Sequence, residues 1–201
     1  MYYYPYDARI HNLGNIGLTG KLHAELAPLA TKIIDISAYN GRNIRNELIY
    51  RINPEYKVLD ICCGVGLSTS EYGIDTSPEM INKAKRLYPN KKFLVENAER
   101  MDKSTNLNFF WDIDVVTCMF GFHEMPEYAH NKIINNCLLL AKKEIMIIDI
   151  SPEYKSSKMM RSGEPYLLDY QKSIDKTMNK YNFIRFDYIP NHVTIWKYYK
   201  K

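Results

Sequence analysis

The residues able to do chemistry stand at the ends of short apolar runs. Lys57-Val58-Leu59-Asp60-Ile61-Cys62-Cys63-Gly64-Val65-Gly66-Leu67-Ser68-Thr69 opens as a buried strand would, carries a carboxylate near its end, and then places two glycines at alternate positions. A strand feeding a glycine-rich turn is where an open α/β sheet receives a nucleotide-like ligand. Side chains at Gly64 or Gly66 would hold such a ligand off the backbone. A plain strand-to-helix turn is the other reading of a lone Gly-x-Gly. Asp75 closes a second short run, Asn97-Ala98-Glu99 follow a third, and His123 with Glu124 follow a fourth. An imidazole at His123 could take a proton from a hydroxyl, thiol or amine near neutral pH, whereas packing within its loop would need no substrate at all.

The elements that must position these groups alternate. A helix is expected with Leu22, Leu26, Leu29 and Ile33 on one buried face and Pro28 as a kink. Asn40-Gly41 marks a turn, and Ile44, Leu48 and Ile52 a second short helix ended by Asn53-Pro54. Glu71 to Asp75 makes a brief second strand. Thr76-Ser77-Pro78-Glu79 is a strong helix start, with a capping hydroxyl, Pro in the first turn and Glu completing a box. Strands are expected at 92–96, 113–120 and 144–150, with a helix after Pro126 and a polar loop over 151–166. A last helix through Leu167, Tyr170, Ile174 and Met178 precedes two strands joined tightly at Pro190-Asn191. Strand–helix alternation with a closing antiparallel hairpin predicts one α/β domain over 1–201 with a mostly parallel sheet. Residues 1–54 would form a helical cap or lid, 55–150 the ligand-binding core, and 151–201 the substrate-side loop, last helix and hairpin.

Bulk properties narrow the classes. The 201 residues are 46% hydrophobic and 25% charged, as in a globular domain with a real core. A net charge of +4 with dispersed basic residues argues against nucleic acid as a partner. The four cysteines show neither Cys-x-x-Cys nor metal-ligand spacing, so no metal is expected and buried thiols in a reducing, cytoplasmic setting are the reading. No run approaches the length of a membrane span.

The glycine turn discriminates between cofactors. A nicotinamide site would carry a third glycine where Thr69 stands, and Asp60 would oppose a pyrophosphate. No Gly-Lys-Ser/Thr follows, which excludes a P-loop. A carboxylate suits a ligand with a positive amino group, and S-adenosylmethionine has one, together with a ribose for the acid on the second strand.

At these residues the chain resembles the class I S-adenosylmethionine-dependent methyltransferases. Val58 to Gly66 looks like their first motif and Gly73-Ile74-Asp75-Thr76-Ser77-Pro78-Glu79-Met80 is similar to their second. Met119 to Pro126 resembles the fourth-strand loop of small-molecule members of the ubiquinone/menaquinone-biosynthesis type. The resemblance implies a Rossmann-like, doubly wound, seven-stranded sheet with S-adenosylmethionine as cofactor. It implies that Asp60 and the backbone at Cys62, Gly64 and Gly66 hold the methionine end, and that Asp75 accepts from the ribose hydroxyls. Thr76 and Met80 would border the adenine, Asn97, Ala98 and Glu99 would address its edge, and Met119 with Phe120 would floor the pocket.

Two departures stand out. The family usually has glycine where Cys62 stands. Gly66 and Asp75 are nine positions apart, too few for a crossover of at least about ten to twelve residues, so a loop over Leu67 to Glu71 and a more open pocket are expected there. The function implied is methyl transfer to an O, N, S or C atom of a small molecule, with His123 and Glu124 as candidate catalytic residues. Tyr6, His11, Asn12, Asn15 and the Gly163-to-Tyr166 loop are candidates for covering the acceptor. RNA or protein methylation and a non-catalytic S-adenosylmethionine-binding module are the alternatives, and the oligomeric state is not legible.

Overall fold

The computed structural model describes residues 14–101 and 112–200. Tyr6, His11, Asn12 and the polar stretch from Asp102 to Asn108 lie outside the described residues. Helices α1 (Gly17–Tyr39) and α2 (Ile44–Ile49) precede β1 (Val58–Ile61) and β2 (Tyr72–Asp75). Then come α3 (Pro78–Leu87), β3 (Lys92–Val95), β4 (Val115–Met119), α4 (Glu127–Leu140) and β5 (Glu144–Ile150). The chain closes with α5 (Lys158–Gly163), α6 (Leu167–Lys180), β6 (Ile184–Ile189) and β7 (Val193–Tyr199).

The strands form one seven-stranded sheet in the order β3-β2-β1-β4-β5-β7-β6. Neighbours among β1 to β5 are parallel, while β7 runs antiparallel to both β5 and β6. This is the doubly wound sheet with a terminal antiparallel hairpin that the sequence predicts. Strands covered on both faces must be apolar throughout. Accordingly every residue of β1 and β4 is buried, and β5 alternates its side chains between two clusters. Ile145 and Ile147 face Ile133, Ile134, Tyr170, Ile174 and Met178 on one side, whereas Met146 and Ile148 face Tyr39, Ile44 and Leu48 on the other.

No helix crosses from β1 to β2, as the nine-residue spacing requires. The connection is a chain of turns closed by Gly66 N–H to the Cys63 carbonyl at 2.9 Å and Thr69 N–H to the Gly66 carbonyl at 3.3 Å. It is not left open, however. Ala24 and Ala27 of α1 pack on Val65, Leu67 and Met80, so the N-terminal helix lies over the turn. This overturns the expected orientation of α1. Leu22, Leu26, Leu29 and Ile33 are 52%, 44%, 58% and 56% exposed, and the face turned inward carries Gly20 and Ala24.

The start of α3 follows its sequence closely. Ser77 Oγ accepts from Met80 N–H at 3.1 Å, Pro78 opens the first turn, and Lys85 and Arg86 stand in the last, where cations suit the helix dipole. The expected box does not close: Glu79 instead accepts from Gly17 N–H at 2.8 Å. The segment read as a polar loop contains α5, whose cap is Ser157 Oγ accepting from Met160 N–H at 3.1 Å. Helix α2 ends at Ile49 and continues to Ile52 only as turns.

The two turn glycines do different work. Gly66 has φ +82°, and a Cβ there would stand 2.7 Å from Phe93 Cζ, whereas a Cβ on Gly64 (φ +52°) meets nothing within 4 Å. Gly66→Ala is therefore expected to cost about 2–4 kcal/mol in urea unfolding, from left-handed strain plus overpacking. Gly64→Ala should cost about 1–2 kcal/mol, from strain alone. Equal losses at the two positions would refute this division.

Candidate active site

Burial sets the behaviour of the first strand's acid. Asp60 is fully buried on β1, where Oδ2 accepts from Ser68 Oγ and Thr69 Oγ1 at 2.8 Å each and Oδ1 from Thr117 Oγ1 at 3.0 Å. Desolvation pushes its carboxyl up to about 6, against the downward pull of those three hydroxyls. Asp60 thus grips the back of the glycine turn and is not on the wall of the cavity in front of it. The turn itself is left-handed at Cys62, with φ +54°. That conformation is easiest for glycine, which accounts for the residue usual in the resembled family at this position.

The acid of the second strand does reach the cavity. Asp75 Oδ2 accepts from Gly64 N–H at 2.8 Å and Oδ1 from Ser77 N–H at 2.9 Å. The Thr76 N–H also bears on this carboxylate. Burial raises this carboxyl to about 6 as well, with the Ser77 and Gly64 N–H groups opposing the shift. Ser77 Oγ also donates to the carbonyl of Asn15, and Asn15 Oδ1 lies 2.9 Å from His23 Nδ1. The chain entering α1 is thereby pinned beside Asp75, and both Asn15 and His23 line the cavity.

Past β4, a short 3-10 turn over Phe122–Glu124 is held by β5. Asp149 Oδ2 accepts from the N–H groups of Phe122 (2.8 Å) and His123 (3.1 Å), and its Oδ1 meets His123 Nδ1 at 2.5 Å. His123 Nε2 faces Glu164 Oε2 at 3.5 Å. Burial works to lower the His123 pKa, but the Asp149 charge and hydrogen bond outweigh it, with Glu164 and Glu124 adding to the rise, and the result is about 9. His123 is therefore an imidazolium at neutral pH. Its Nε2–H can be donated, whereas accepting a proton, the task expected from sequence, requires that proton to leave first.

These groups share one cavity of about 740 Å³, within the range of ligand sites. Of the residues singled out from sequence, Cys62, Gly64, Asp75, Met80, Met119, Phe120, His123 and Glu124 line it, as do Asn15, Gly163 and Glu164 from the two covering segments. Asp60, Gly66, Thr76, Asn97, Ala98 and Glu99 do not. Asn97, Ala98 and Glu99 form the turn after β3, where Asn97 Oδ1 accepts from Glu99 N–H at 2.6 Å and Asn97 Nδ2 is buried with no partner among the described residues. Sequence reading missed Asp149, although an acid near the end of a buried strand is the signal that Asp60 and Asp75 also gave. It missed Tyr39, Arg45, Tyr154 and His192 as well, all on the cavity wall. Arg45 sits beside Glu47 on a short helix, just after Arg42, and reads there as surface.

Residues 58–144 match the family model described as "Methyltransferase domain". The ubiquinone/menaquinone biosynthesis C-methyltransferase of Campylobacter jejuni is 21% identical over 159 residues, covering 71% of this chain and 64% of that protein. The chain thus spans 64% of the length of the relatives it matches. Among solved structures, a TehB-like SAM-dependent methyltransferase from Corynebacterium glutamicum superposes with a TM-score of 0.60 at 16% identity, covering 90% of this chain and 99% of that one. Magnesium protoporphyrin IX methyltransferase from Synechocystis PCC 6803, with bound SAH, gives 0.54 at 14% identity over 96% and 91% of the chains. These structural likenesses establish the fold.

The charge state of His123 has a consequence for stability. A histidine whose pKa rises on folding stabilises the protein fully below its unfolded value, and the contribution is lost as pH climbs through the folded value. Unfolding free energy should therefore fall by on the order of 2–3 kcal/mol between pH 6.5 and about 9. His123→Gln should flatten that window in denaturant titrations. A slope unchanged by the substitution would show that Asp149 does not hold the ring charged.

Proposed function

We propose that this protein, whose residues 58–144 match a methyltransferase domain, moves the methyl group of S-adenosylmethionine to a small molecule bound in the same cavity. The observation that carries this reading is that Asp75, Gly64 and His123 open onto one space. The residues present fit the cofactor. A missing Cβ at Gly64 leaves the turn bare towards open space, and the Asp75 carboxylate lines the same cavity. Met80, Met119 and Phe120 add an apolar wall.

When bound, the cofactor supplies an activated methyl for in-line displacement, a reaction that asks mainly for proximity and orientation. Backbone at Cys62 and Gly64 holds the methionine end, while Gly66 and Asp60 shape the turn from behind. Asp75 receives the ribose hydroxyls. Met80, on the cavity wall, borders the adenine, whereas Thr76, Asn97, Ala98 and Glu99 stand off that wall and are given no contact with it. Met119 and Phe120 form the floor. His123 acts by donating Nε2–H to the acceptor, and Glu124, on the same wall, takes a proton where the acceptor must lose one. The weak net charge and the aromatic lining of the cavity favour a small-molecule acceptor over RNA or protein. A carbon acceptor is favoured by the Campylobacter jejuni relative, a C-methyltransferase by name.

Calorimetric titration with S-adenosylmethionine and S-adenosylhomocysteine tests the reading. Micromolar binding is expected, and Asp75→Ala should weaken it about 100-fold, the loss of charge-assisted bonds worth about 1.5–3 kcal/mol each. Affinity should also fall as pH drops through about 6, where Asp75 takes up a proton and stops accepting at one oxygen. Absence of binding to the unmodified protein would end the enzyme reading. With binding established, His123→Gln should slow labelled methyl transfer into a metabolite extract by roughly 10–100-fold while leaving S-adenosylhomocysteine affinity unchanged.

A further inference from the structure

The cavity has a second polar end, built by elements that the glycine turn does not use. Arg45 of α2 lies with its guanidinium carbon 4.5 Å from the centre of the Phe120 ring. Its Nη1 stands 4.0 Å from Asp35 Oδ1, beyond hydrogen-bond reach, and both of those atoms are buried with no hydrogen-bond partner among the described residues. Burial pulls the Arg45 pKa down, yet a guanidinium stays charged in a protein. Burial also raises the Asp35 carboxyl in spite of the neighbouring cation, so the two are poorly matched. His192 lines the same cavity, and its Nδ1 is a second buried nitrogen with no partner among the described residues, on a ring that burial keeps neutral. Tyr39 and Tyr154 stand edge-on to that ring, with centroids 5.1 and 4.6 Å away.

Native proteins leave few buried polar atoms unsatisfied, and each exception asks for an explanation. A desolvated guanidinium N–H with no acceptor is matched in charge and shape by a carboxylate. The Phe120 ring beneath the guanidinium and the Tyr39 and Tyr154 rings edge-on to His192 suit a flat aromatic body better than a flexible aliphatic one. We propose that Arg45 and His192 form the carboxylate-binding end of the acceptor site, and that the methyl acceptor is an aromatic carboxylate. The inference rests on the reading of this cavity as a joint cofactor and acceptor site. A carboxylate could also be brought by the aminoacyl end of the cofactor, and the experiment separates the two.

Benzoate and benzamide, which differ in the charged group alone, are titrated by saturation-transfer NMR into the protein with and without saturating S-adenosylhomocysteine. The unmodified protein is expected to prefer benzoate at least 10-fold. Arg45→Met, which keeps an apolar stem over Phe120, should abolish that preference while its S-adenosylhomocysteine affinity stays within twofold. Equal binding of the two probes, or a preference that survives in Arg45→Met, overturns the assignment. So does a tenfold loss of S-adenosylhomocysteine affinity in Arg45→Met with 5′-methylthioadenosine binding unchanged, because Arg45 would then serve the cofactor's carboxylate. Should Arg45→Met lose its near-UV circular dichroism, Arg45→Lys replaces it. The preference is then expected to fall at least threefold, and an undiminished one overturns the proposal. Failure of S-adenosylhomocysteine to bind the unmodified protein would strike the cofactor reading, while the benzoate preference of the free protein still reads Arg45.

Discussion

Asp60 is a buried carboxylate that forms no ion pair among the described residues, and three hydroxyls, two of them from the glycine turn, close on it. In a full crossover a helix would fix the far side of such a turn by its own hydrogen bonds. Here the chain has no room for one, and Ser68 and Thr69 bring their hydroxyls back to Asp60 instead. Lys91 Nζ adds a bond to the Thr69 carbonyl at 2.5 Å. Removing a carboxylate from water costs several kcal/mol, and three hydrogen bonds to it return roughly 1.5–3 kcal/mol each. The two effects are close in size, which is why the carboxyl sits near 6 and not at either extreme. Gly64 owes its position, and hence its N–H contact with Asp75, to that balance.

A different solution holds the other end of the site. Asp149 is as deeply buried as Asp60, but it is matched by an imidazolium and by backbone N–H groups of the turn it supports. The ion pair does two things at once. It locks the 3-10 turn after β4 to the end of β5, and it fixes the ring of His123 with Nε2 turned towards Glu164. Stability and protonation are thereby linked: the state that packs best is the state that donates. His130 shows the contrast, since its ring stacks on Phe122, hydrogen-bonds the Phe122 carbonyl and is pushed down by burial instead.

The mostly parallel sheet, its closing hairpin and the missing crossover helix were legible because they follow from local signals: apolar runs, glycines, a capping serine and a count of residues. Asp75, Gly64 and Met80 were legible because short motifs place them. Glu79 shows where local reading stops, because its box partner lost to Gly17 N–H, a group 62 positions away. His123 was found by type and place, but its charge depends on Asp149, 26 positions on, and no spacing reveals that. Arg45 and His192 could not be found at all, since their meaning comes only from being buried on one wall with nothing to bond.

Helix α1 carries this point furthest. Its leucines and isoleucines predict a buried face, and a helix resting on a broad apolar floor would use them. The floor available is narrow, made of Val65, Leu67 and Met80 beside the glycine turn. Gly20, Ala24 and Ala27 let the helix backbone come close to it, where a leucine would hold it away. Glu25 then bonds Lys83 and Arg86 of α3, and Asn15 and Gly17 fasten the entry. Close approach brings Ala27, Ala30, Thr31 and Ile34 onto the cavity wall. The space that a crossover helix would have occupied is thus covered from the N-terminal side. A short connection after β1 and small residues on α1 are two halves of one constraint: each is tolerable only because of the other.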